Sequence, residues 1–304
     1  MSVVVGVPTY RRPDLLRRLL GQIVKQATEL RSGEPVAVVV ADNACQPEVA
    51  DLVQALAAEA PVPIHYRAVR ERGISQARNA LIRGAYAVAP DWDYLVMYDD
   101  DGSLRPGCLA ALVATARRYD ADCAGGPVEM GRLDGHSRLI RAYLASSLVA
   151  KKTGPVVALN GAQNTLVARR LVERLRDPWF APNRGLSGGE DFAFFLDAKS
   201  VGARFVWDAD AVVDEPLPPQ RLTRASVLRR AFEENAANAH TEVEHFGYGH
   251  SLAVLGSSAR WPLVLGIAGA VHRDPDRCAR MVVSLCGIAG RVAGTAGLNP
   301  QPYR

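Results

Sequence analysis

The first part of the chain alternates between short apolar runs and amphipathic stretches. "SVVVGV" (2–7) and "PVAVVVADN" (35–43) are continuous and rich in β-branched residues, as is typical of strands buried on both faces of a parallel sheet. Between them, "PDLLRRLLGQIVKQATEL" (13–30) starts with proline and repeats leucine at helical spacing. The same alternation predicts a helix near 47–60, a strand at 62–66, a helix after Gly73 and a strand at 92–98. This order predicts an α/β fold with a mostly parallel sheet and right-handed crossovers.

The pattern is less regular from about residue 120 to residue 215. It predicts a strand at 121–126, a helix at 135–150, strands within 156–167, a helix at 190–202, and short strands near 204–207 and 211–213. The segment 215–240 then predicts a proline-rich turn followed by a basic helix. This middle region is therefore expected to mix strands and helices without a simple repeat.

The tail contains two apolar runs, "WPLVLGIAGAVHR" (261–273) and "MVVSLCGIAGRVAGTAG" (281–297), which are edged by arginines. Each run is too short to span a bilayer. Two interpretations stay open: core helices of a domain, or helices that lie in a membrane interface with the arginines at headgroup level.

Composition narrows the class of protein. The 304 residues are 48% hydrophobic and 22% charged, as in ordinary globular proteins, and the net charge is +4 with arginines spread along the chain. This spread argues against a nucleic-acid-binding protein. The five cysteines include no C-x-x-C pair, which indicates reduced thiols of a cytosolic protein. The N-terminus lacks the pattern of a signal peptide, so we expect no export.

Polar residues follow three of the predicted strands. Thr9 and Tyr10 follow the first, Asp42 and Asn43 the second, and the acidic triplet 99–101 the strand at 92–98. Because ligands bind outside the carboxyl ends of parallel strands, this pattern predicts a nucleotide-type pocket. Neither G-x-G-x-x-G nor G-x-x-x-x-G-K-[ST] occurs, which argues against dinucleotide dehydrogenases and P-loop enzymes. Three adjacent carboxylates also need a counter-charge: an arginine, a metal ion or only water.

Six sequence pieces carry a family resemblance. They are "VPTYRRPDLLRRLL", "VVVADN", "ERGISQARNALI", "YDDDG", "LNGAQNTLV" and "GGEDFAFF". In this order they resemble the family 2 glycosyltransferases of the GT-A fold. "VVDEPLPPQRLTRASVLRR" resembles the sub-group related to the succinoglycan β-glucosyltransferases of bacterial polysaccharide assembly. The resemblance implies one Rossmann-like domain over 1–235, with a nucleotide-sugar half (1–120) and an acceptor half (121–235), before a helical extension (236–304).

The resemblance implies an inverting transfer from a nucleotide-diphosphate sugar that depends on Mn²⁺ or Mg²⁺. Asp101 and Asp99 would bind the metal through hard oxygen ligands, and the alternative is that Asp99 or Asp100 holds the ribose instead. Asp191 would be the general base, with Glu190 orienting the acceptor, at a helix N-terminus that favours acidic side chains. A simpler interpretation treats these acids as helix caps or an ordinary acidic first turn.

The remaining donor contacts are also implied by the resemblance. Arg72 and Arg78 would pair with the diphosphate or stack on the base, although a solvated arginine face is an alternative for both. The other implied contacts are Pro8, Thr9 and Tyr10 around the base, Asp42 on the base or ribose, Asn79 as a cap or on the ribose, Gly189 at the sugar, Asn160 and Asn164 on the sugar and acceptor side or as turn residues, and Asp214 and Glu215 on metal or diphosphate.

The donor is expected to be a uridine-type nucleotide sugar. The acceptor would be a polyprenyl-diphosphate saccharide at the inner membrane face, where a cytoplasmic protein would be peripheral, or a soluble natural-product scaffold. "QRLTR" lacks the tryptophan of processive synthases, since Ala225 follows Arg224, which favours single transfers. A nucleotidyltransferase and a non-catalytic membrane-binding protein are the rival classes. A metal site at His240 and Glu244 is disfavoured, because no third ligand is evident.

Overall fold

The computed structural model describes residues 2–30, 35–131, 134–147, 152–159 and 161–300. Its contacts divide the chain into two compact units. The first comprises Met1–Glu129, Ala150–Gly185 and Ala193–Glu215, and the second comprises Met130–Val149, Leu186–Phe192 and Pro216–Arg304. The second unit thus takes two earlier segments besides the C-terminal helices, and the boundary expected at residue 235 stays a prediction.

The strands lie in the first unit. In chain order they are β1 (Val3–Thr9), β2 (Val36–Asp42), β3 (Ile64–Ala68), β4 (Tyr94–Tyr98), β5 (Ser103–Leu104), β6 (Cys123–Gly125), β7 (Val128–Glu129), β8 (Gly154–Val156), β9 (Asn164–Ala168), β10 (Phe205–Trp207) and β11 (Val213–Asp214). Among the described residues, one sheet has the order β3-β2-β1-β4-β9-β6-β10-β8 and a smaller one the order β5-β11-β7.

The sheet confirms the predicted α/β fold. Strands β3, β2, β1 and β4 are mutually parallel, as the strand–helix alternation predicts. Beyond β4 the sheet is mixed, because β9 runs antiparallel between β4 and β6, and β8 is antiparallel to β10. Strand β9 is inserted in the opposite direction between the parallel strands β4 and β6, which explains why the pattern along this part of the chain is irregular.

The helices are α1 (Pro13–Glu29), α2 (Pro47–Glu59), α3 (Ile74–Val88), α4 (Cys108–Arg118), α5 (Arg138–Ser147), α6 (Arg169–Val172), α7 (Glu190–Ser200), α8 (Arg224–Phe246), α9 (Tyr248–Ser258), α10 (Arg260–Val271) and α11 (Pro275–Thr295). In the first unit, α1, α2 and α4 cover one face of the sheet, and α3, α6 and the later part of α7 cover the other. Val38 and Val40 of β2 point to the first core and Val39 to the second. This two-sided burial is the reason that β2 is apolar throughout.

Strand pairing places the polar residues predicted for the site. The β1–β4 pairing ends at Gly6 and Met97, whereas β1 stays paired with β2 as far as Thr9 and Asp42. Pro8 therefore lies past the end of the β1–β4 ladder, where its missing N–H removes no hydrogen bond from that ladder. After β4, the chain turns with a hydrogen bond of 3.1 Å from the Gly102 N–H to the Asp99 carbonyl.

The second unit is built on close packing of α8 against α11, with α5 beside them. A Cβ atom at Gly290 would lie 2.1 Å from the Phe232 carbonyl oxygen, and one at Gly294 would lie 2.1 Å from that of Ala236. Glycine at these positions therefore allows the two helix backbones to approach. A buried ion pair between Arg291 of α11 and Glu242 of α8 completes the contact.

The first apolar tail run forms a longer helix than the sequence predicts. The chain is helical through α9 and α10, and Tyr248–Val271 is long and apolar enough to cross a membrane by length and composition alone. The expectation that this run is too short to span a bilayer is therefore wrong as regards the length of the helix. Only 17% of its most apolar window is buried against the rest of the described protein. The second run forms most of α11, one face of which is a core element.

Candidate nucleotide-sugar site

The acidic triplet lies at the carboxyl end of β4, and its middle member is buried. Thr9 Oγ1 donates a 2.8 Å hydrogen bond to Asp100 Oδ2, and Arg12 Nη1 lies 3.0 Å from Asp100 Oδ1. Burial raises the pKa of Asp100 to about 6, although the Thr9 hydrogen bond and the Arg12 charge oppose the shift. Asp100 therefore ties β1 to β4 and fixes the loop that carries its two neighbours.

The outer two aspartates are more open than Asp100. The side chains of Asp99 and Asp101 are 31% and 27% exposed, and arginines stand on both sides of them. Arg12 Nη1 lies 2.8 Å from Asp101 Oδ2, and Arg78 Nη2 lies 3.4 Å from Asp99 Oδ1. The counter-charge of the triplet in this structure is thus arginine. The loop presents two accessible carboxylates within a basic surround.

These residues fit a divalent cation that is shared with a ligand. The described residues contain no group of three or more His, Cys, Asp or Glu that could hold a metal by themselves. Mg²⁺ is usually bound by one or two carboxylates, several waters and substrate phosphates, so Asp99 and Asp101 supply what such a site takes from the protein. The nearby arginines suit the phosphates. Which ion binds stays a prediction.

Asp42 lies at the end of β2 with both oxygens engaged by the protein. Oδ1 accepts a 2.9 Å hydrogen bond from the Ala44 N–H, and Oδ2 accepts from the Gln46 N–H (2.7 Å) and the Tyr66 hydroxyl (3.0 Å). Burial and this bond raise the pKa of Tyr66 to about 12. Asp42 thus shapes the turn after β2, and its contact with a base or ribose stays a prediction.

The two asparagines predicted for the site hold backbone groups. Asn79 donates to the Phe180 carbonyl (2.7 Å) and accepts from the Phe180 N–H (2.9 Å). Asn164 is also buried, and it donates to the carbonyls of Pro127 (3.1 Å) and Ala211 (2.8 Å). Both side chains therefore have structural partners. Asn160 lies outside the described residues.

Arginine and aromatic side chains meet near the end of β1. The guanidinium groups of Arg11 and Arg72 lie 5.2 Å and 5.4 Å from the centroid of the Tyr10 ring. Arg78 is buried, and its guanidinium lies 5.7 Å from the Phe180 ring. The structure thus brings Tyr10 and Arg72 together as predicted residues of one cluster, and it places Arg78 between Phe180 and Asp99.

The Gly-Gly-Glu-Asp segment belongs to the second unit. Gly188 and Gly189 have positive φ angles of 80° and 77°, which non-glycine residues rarely adopt. A Cβ at Gly189 would lie 3.3 Å from Thr241 Oγ1 of α8, so the segment packs closely on that helix. Glu190 is buried in the first turn of α7. Asp191 Oδ1 accepts a 2.7 Å hydrogen bond from the Phe192 N–H.

The remaining predicted contacts are engaged elsewhere. Asp214 binds Arg105 through both oxygens, at 3.0 Å to Nε and 2.7 Å to Nη2, and Glu129 pairs with the same arginine. The role of Asp214 in binding metal or diphosphate stays a prediction. His240 Nε2 lies 3.4 Å from Glu244 Oε1, one turn further along α8.

Comparison with known proteins supplies the family. The family model described as Glycosyl transferase family 2 matches residues 4–175, more than half of the chain. The chain belongs to glycosyltransferase family 2. The protein is similar to the succinoglycan biosynthesis protein ExoM of Rhizobium meliloti (strain 1021), with 30% identity over 248 aligned residues and coverage of 80% of this chain and 76% of ExoM. The resemblance inferred from the motifs is confirmed.

Solved structures of glycosyltransferases share the fold of this family 2 protein. The mannosyltransferase PcManGT from Pyrobaculum calidifontis, in complex with GDP-Man and Mn²⁺, matches with a TM-score of 0.63 and 18% identity, covering 96% of this chain and 86% of that chain. TarS 1-349 of S. aureus, in complex with UDP-GlcNAc, matches with a TM-score of 0.54 and 18% identity, covering 100% and 93%. The predicted GT-A fold is therefore confirmed. Membership of family 2 and the similarity to ExoM show that the protein is a glycosyltransferase.

Two residues of this candidate site were not predicted from the sequence. Arg12, which bridges Asp100 and Asp101, comes from the turn after β1, and Tyr66, which holds Asp42, comes from β3. The crowding of three aspartates signalled the need for a counter-charge, but the sequence did not show which of many arginines would supply it. Nothing in the local pattern around Tyr66 marked its role.

Proposed function

We propose that the protein transfers a sugar from a uridine-diphosphate-type donor to an acceptor hydroxyl with inversion at the anomeric carbon. Asp101 and Asp99 would hold Mn²⁺ or Mg²⁺, and Asp191 would be the general base. The observation that carries the proposal is the pair of accessible carboxylates after β4, with Arg12 and Arg78 beside them. The nucleotide-sugar complexes of PcManGT and TarS, which share the fold, support it.

The donor end of the proposal uses groups from three segments of the first unit. A divalent cation on Asp99 and Asp101 would neutralise negative charge that builds on the leaving diphosphate. Arg78 and Arg72 offer planar guanidinium groups that suit diphosphate oxygens or a base. Asp100 is too buried to share this task, and it would fix the loop through Thr9 and Arg12.

The acceptor end of the proposal rests on Asp191. Its Oδ1 is held by the Phe192 N–H, and no described residue hydrogen-bonds to Oδ2. Oδ2 would take the proton from the acceptor hydroxyl while that oxygen forms a bond to the anomeric carbon. The bond from the anomeric carbon to the diphosphate oxygen breaks in the same displacement, which inverts the configuration. Glu190, one residue earlier, would help to orient the acceptor.

Two variants and one control test the proposal. We expect UDP-sugars with Mn²⁺ to raise the melting temperature of the wild type and a chelator to abolish this protection. Asp101→Ala should lose the metal-dependent protection, since it removes a proposed ligand. Asp191→Asn should keep the protection but lose transfer, because an amide cannot accept the proton. Asp51→Ala, on the exposed face of α2, is the matched control. Full transfer by Asp191→Asn would refute the assignment of the base.

We further propose that the acceptor is a lipid-linked saccharide and that the second unit lies on an anionic membrane surface. ExoM is described as a succinoglycan biosynthesis protein, which places a relative in polysaccharide assembly. Twelve of the fourteen large hydrophobic residues that are exposed in the described chain lie between residues 246 and 298. They include Trp261, Leu263, Val264, Ile267 and Val271, which form a continuous apolar face on α10.

The charges beside this apolar face suit anionic lipid headgroups. Arg260, Arg273 and Arg280 are exposed and form no ion pair with a described residue. The two aspartates of the same region are already paired, Asp274 with Arg277 and Asp276 with Arg141. Arg260 sits in the middle of the 24-residue helical stretch, which favours a helix lying in the interface over one that crosses the bilayer.

Vesicle flotation tests the membrane proposal. We expect the wild type to float with vesicles that contain phosphatidylglycerol and to float less with pure phosphatidylcholine or at high salt, because headgroup attraction is screened. Ile267→Asp should abolish flotation. Val157→Asp, at an exposed apolar residue of the first unit, should not. Absence of flotation by the wild type would favour a soluble natural-product acceptor.

A further inference from the structure

Three polar side chains of α5 and α8 form a cluster in the second unit. The Tyr143 hydroxyl donates a 2.8 Å hydrogen bond to Glu234 Oε1, and it accepts one of 3.1 Å from Arg230 Nε. Arg230 Nη2 lies 3.2 Å from the same Glu234 oxygen. Tyr143 is buried in the core of the unit, whereas the Glu234 side chain is 50% exposed. The buried Tyr143 thus fixes a carboxylate that is itself half exposed at the surface.

The cluster lies beside the segment that carries Asp191. A Cβ at Gly189 would lie 3.3 Å from Thr241 Oγ1 and 3.6 Å from Ala237 Cβ, so the glycine packs on the α8 face that contains these two residues. Glu234 lies on that same face, because it precedes Ala237 by three residues and Thr241 by seven. Partial desolvation raises the pKa of Glu234, the charge of Arg230 and the hydrogen bonds from Tyr143 and Arg230 oppose the shift, and the charge of Asp191 adds to it.

The carboxylate of Glu234 is fixed at one oxygen and open at the other. Oε1 receives the bonds from Tyr143 and Arg230, and no hydrogen bond from the described part of the chain reaches Oε2. A carboxylate oriented in this way is a strong acceptor for a hydroxyl group, because one partner is charged. The arrangement therefore offers a second oxygen acceptor next to the Asp191 segment.

We propose that Glu234, oriented by Tyr143 and Arg230, is an acceptor-binding residue that accepts a hydrogen bond from a sugar hydroxyl other than the one that attacks. The proposal deepens the proposed function and rests on it, since it concerns the acceptor that Asp191 would deprotonate. The acceptor sugar at this subsite is neutral. Asp191 and Glu234 bring two negative charges against the one positive charge of Arg230, so an acidic sugar would be repelled.

Binding of simple glycosides tests this subsite. The probes are methyl β-D-glucopyranoside and methyl β-D-galactopyranoside, each titrated by saturation-transfer NMR against the full chain with UDP and Mn²⁺. We expect the wild type to bind at least one of them. Glu234→Ala should weaken that binding by about tenfold or more, because a hydrogen bond to a charged group contributes about 1.5–3 kcal/mol. Glu234→Gln keeps an acceptor oxygen and should lose about threefold or less.

Further variants separate binding from folding. Tyr143→Phe removes a hydrogen bond that orients Glu234 and should give a smaller loss than Glu234→Ala. Glu233→Ala is the matched control, because Glu233 is the neighbouring residue and pairs with Arg229 instead, at 3.9 Å. Protection by a UDP-sugar with Mn²⁺ is measured for each variant. If Glu234→Ala fails to fold, the test compares glycoside binding by Glu234→Gln and Tyr143→Phe with glycoside binding by the control Glu233→Ala.

The results separate this inference from the proposed function. A wild type that binds no UDP-sugar contradicts the proposed function itself. Donor binding by the wild type, with Glu234→Ala holding the glycoside as tightly as the wild type, overturns the subsite alone. A wild type that binds neither glycoside overturns it as well. Preference for methyl β-D-glucuronide over the neutral glycosides would show instead that Arg230 recognises an acidic acceptor.

Discussion

Replacing Asn79 by alanine distinguishes a structural role of this residue from a donor-binding role. The family resemblance assigns Asn79 to a helix cap or to the ribose. In the structure, its amide is buried and makes two hydrogen bonds with the backbone of Phe180, a residue far away in the sequence. The Phe180 ring is also buried and stacks on Phe194, with centroids 4.6 Å apart. Asn79 thus anchors a loop to the core.

The magnitude follows from the groups that the substitution leaves unpaired. Asn79→Ala removes the partner of one buried N–H and one buried carbonyl, and each unsatisfied buried group costs about 1–3 kcal/mol. We therefore expect the free energy of unfolding to fall by about 2–6 kcal/mol. For a chain of this size, the melting temperature should fall by about 5 °C or more.

The assay is thermal and urea unfolding without ligand, followed by titration with a UDP-sugar and Mn²⁺. Asn183→Ala, on an exposed 3₁₀ turn near Phe180, is the matched control and should change the melting temperature by about 1 °C at most. Asn79→Asp keeps an acceptor for the Phe180 N–H but loses the donor, and it should be destabilised too. An unchanged melting temperature for Asn79→Ala, combined with much weaker donor binding, would refute the structural role.

Three further predictions concern other parts of the molecule. Gly290→Ala should lower the free energy of unfolding by about 1–3 kcal/mol, because the new Cβ would lie 2.1 Å from the Phe232 carbonyl oxygen. Gly256→Ala, which has open space around it, should be neutral or stabilising. Thermal unfolding of both variants tests this. Burial raises the pKa of Asp122, but hydrogen bonds from Arg204 and Arg170 and nearby positive charges outweigh burial and lower this pKa overall. The ionised carboxylate should therefore stabilise the fold above about pH 4, and this stabilisation should be lost as the pH falls further. Asp122→Asn should therefore be less stable than the wild type at neutral pH, and the gap in urea unfolding should close in acid; a constant gap would contradict this. Tyr66 should titrate near pH 12 by ultraviolet absorbance, and Asp42→Asn should bring that value down towards that of an ordinary tyrosine.

Local chemistry explains which parts of the fold were predictable. The strands β1 to β4 and the helices between them were predicted because each is apolar on the side or sides that the sheet buries. The strands after β6 are short, with three residues in β8 and three in β10. Runs of this length carry too little periodicity to show their direction. Strand β9 has five residues, but its antiparallel direction depends on its pairing with β4 and β6, which apolar periodicity does not show.

The candidate site likewise contains features that the sequence predicted and features that it did not. The acidic triplet and the Gly-Gly-Glu-Asp segment were found because unusual residues stand together in the chain. Which aspartate is buried was not apparent, since Asp100 becomes buried through contacts with Thr9 and Arg12, about ninety residues earlier in the chain. Asn79 and Asn164 matched the family motifs, yet nothing local showed that their amides would hold the backbone of other segments.

The sequence by itself determined the fold class, the family and the positions at which charge is concentrated, because these depend on short-range patterns of apolar and acidic residues. Only the tertiary structure decided which charges are paired, which polar groups are buried and which hydrophobic residues stay exposed. Those properties depend on what distant segments bring to each side chain, as the cluster of Tyr143, Arg230 and Glu234 illustrates. Electrostatic energies change several-fold with burial and distance, so the same residues have different chemistry before and after packing.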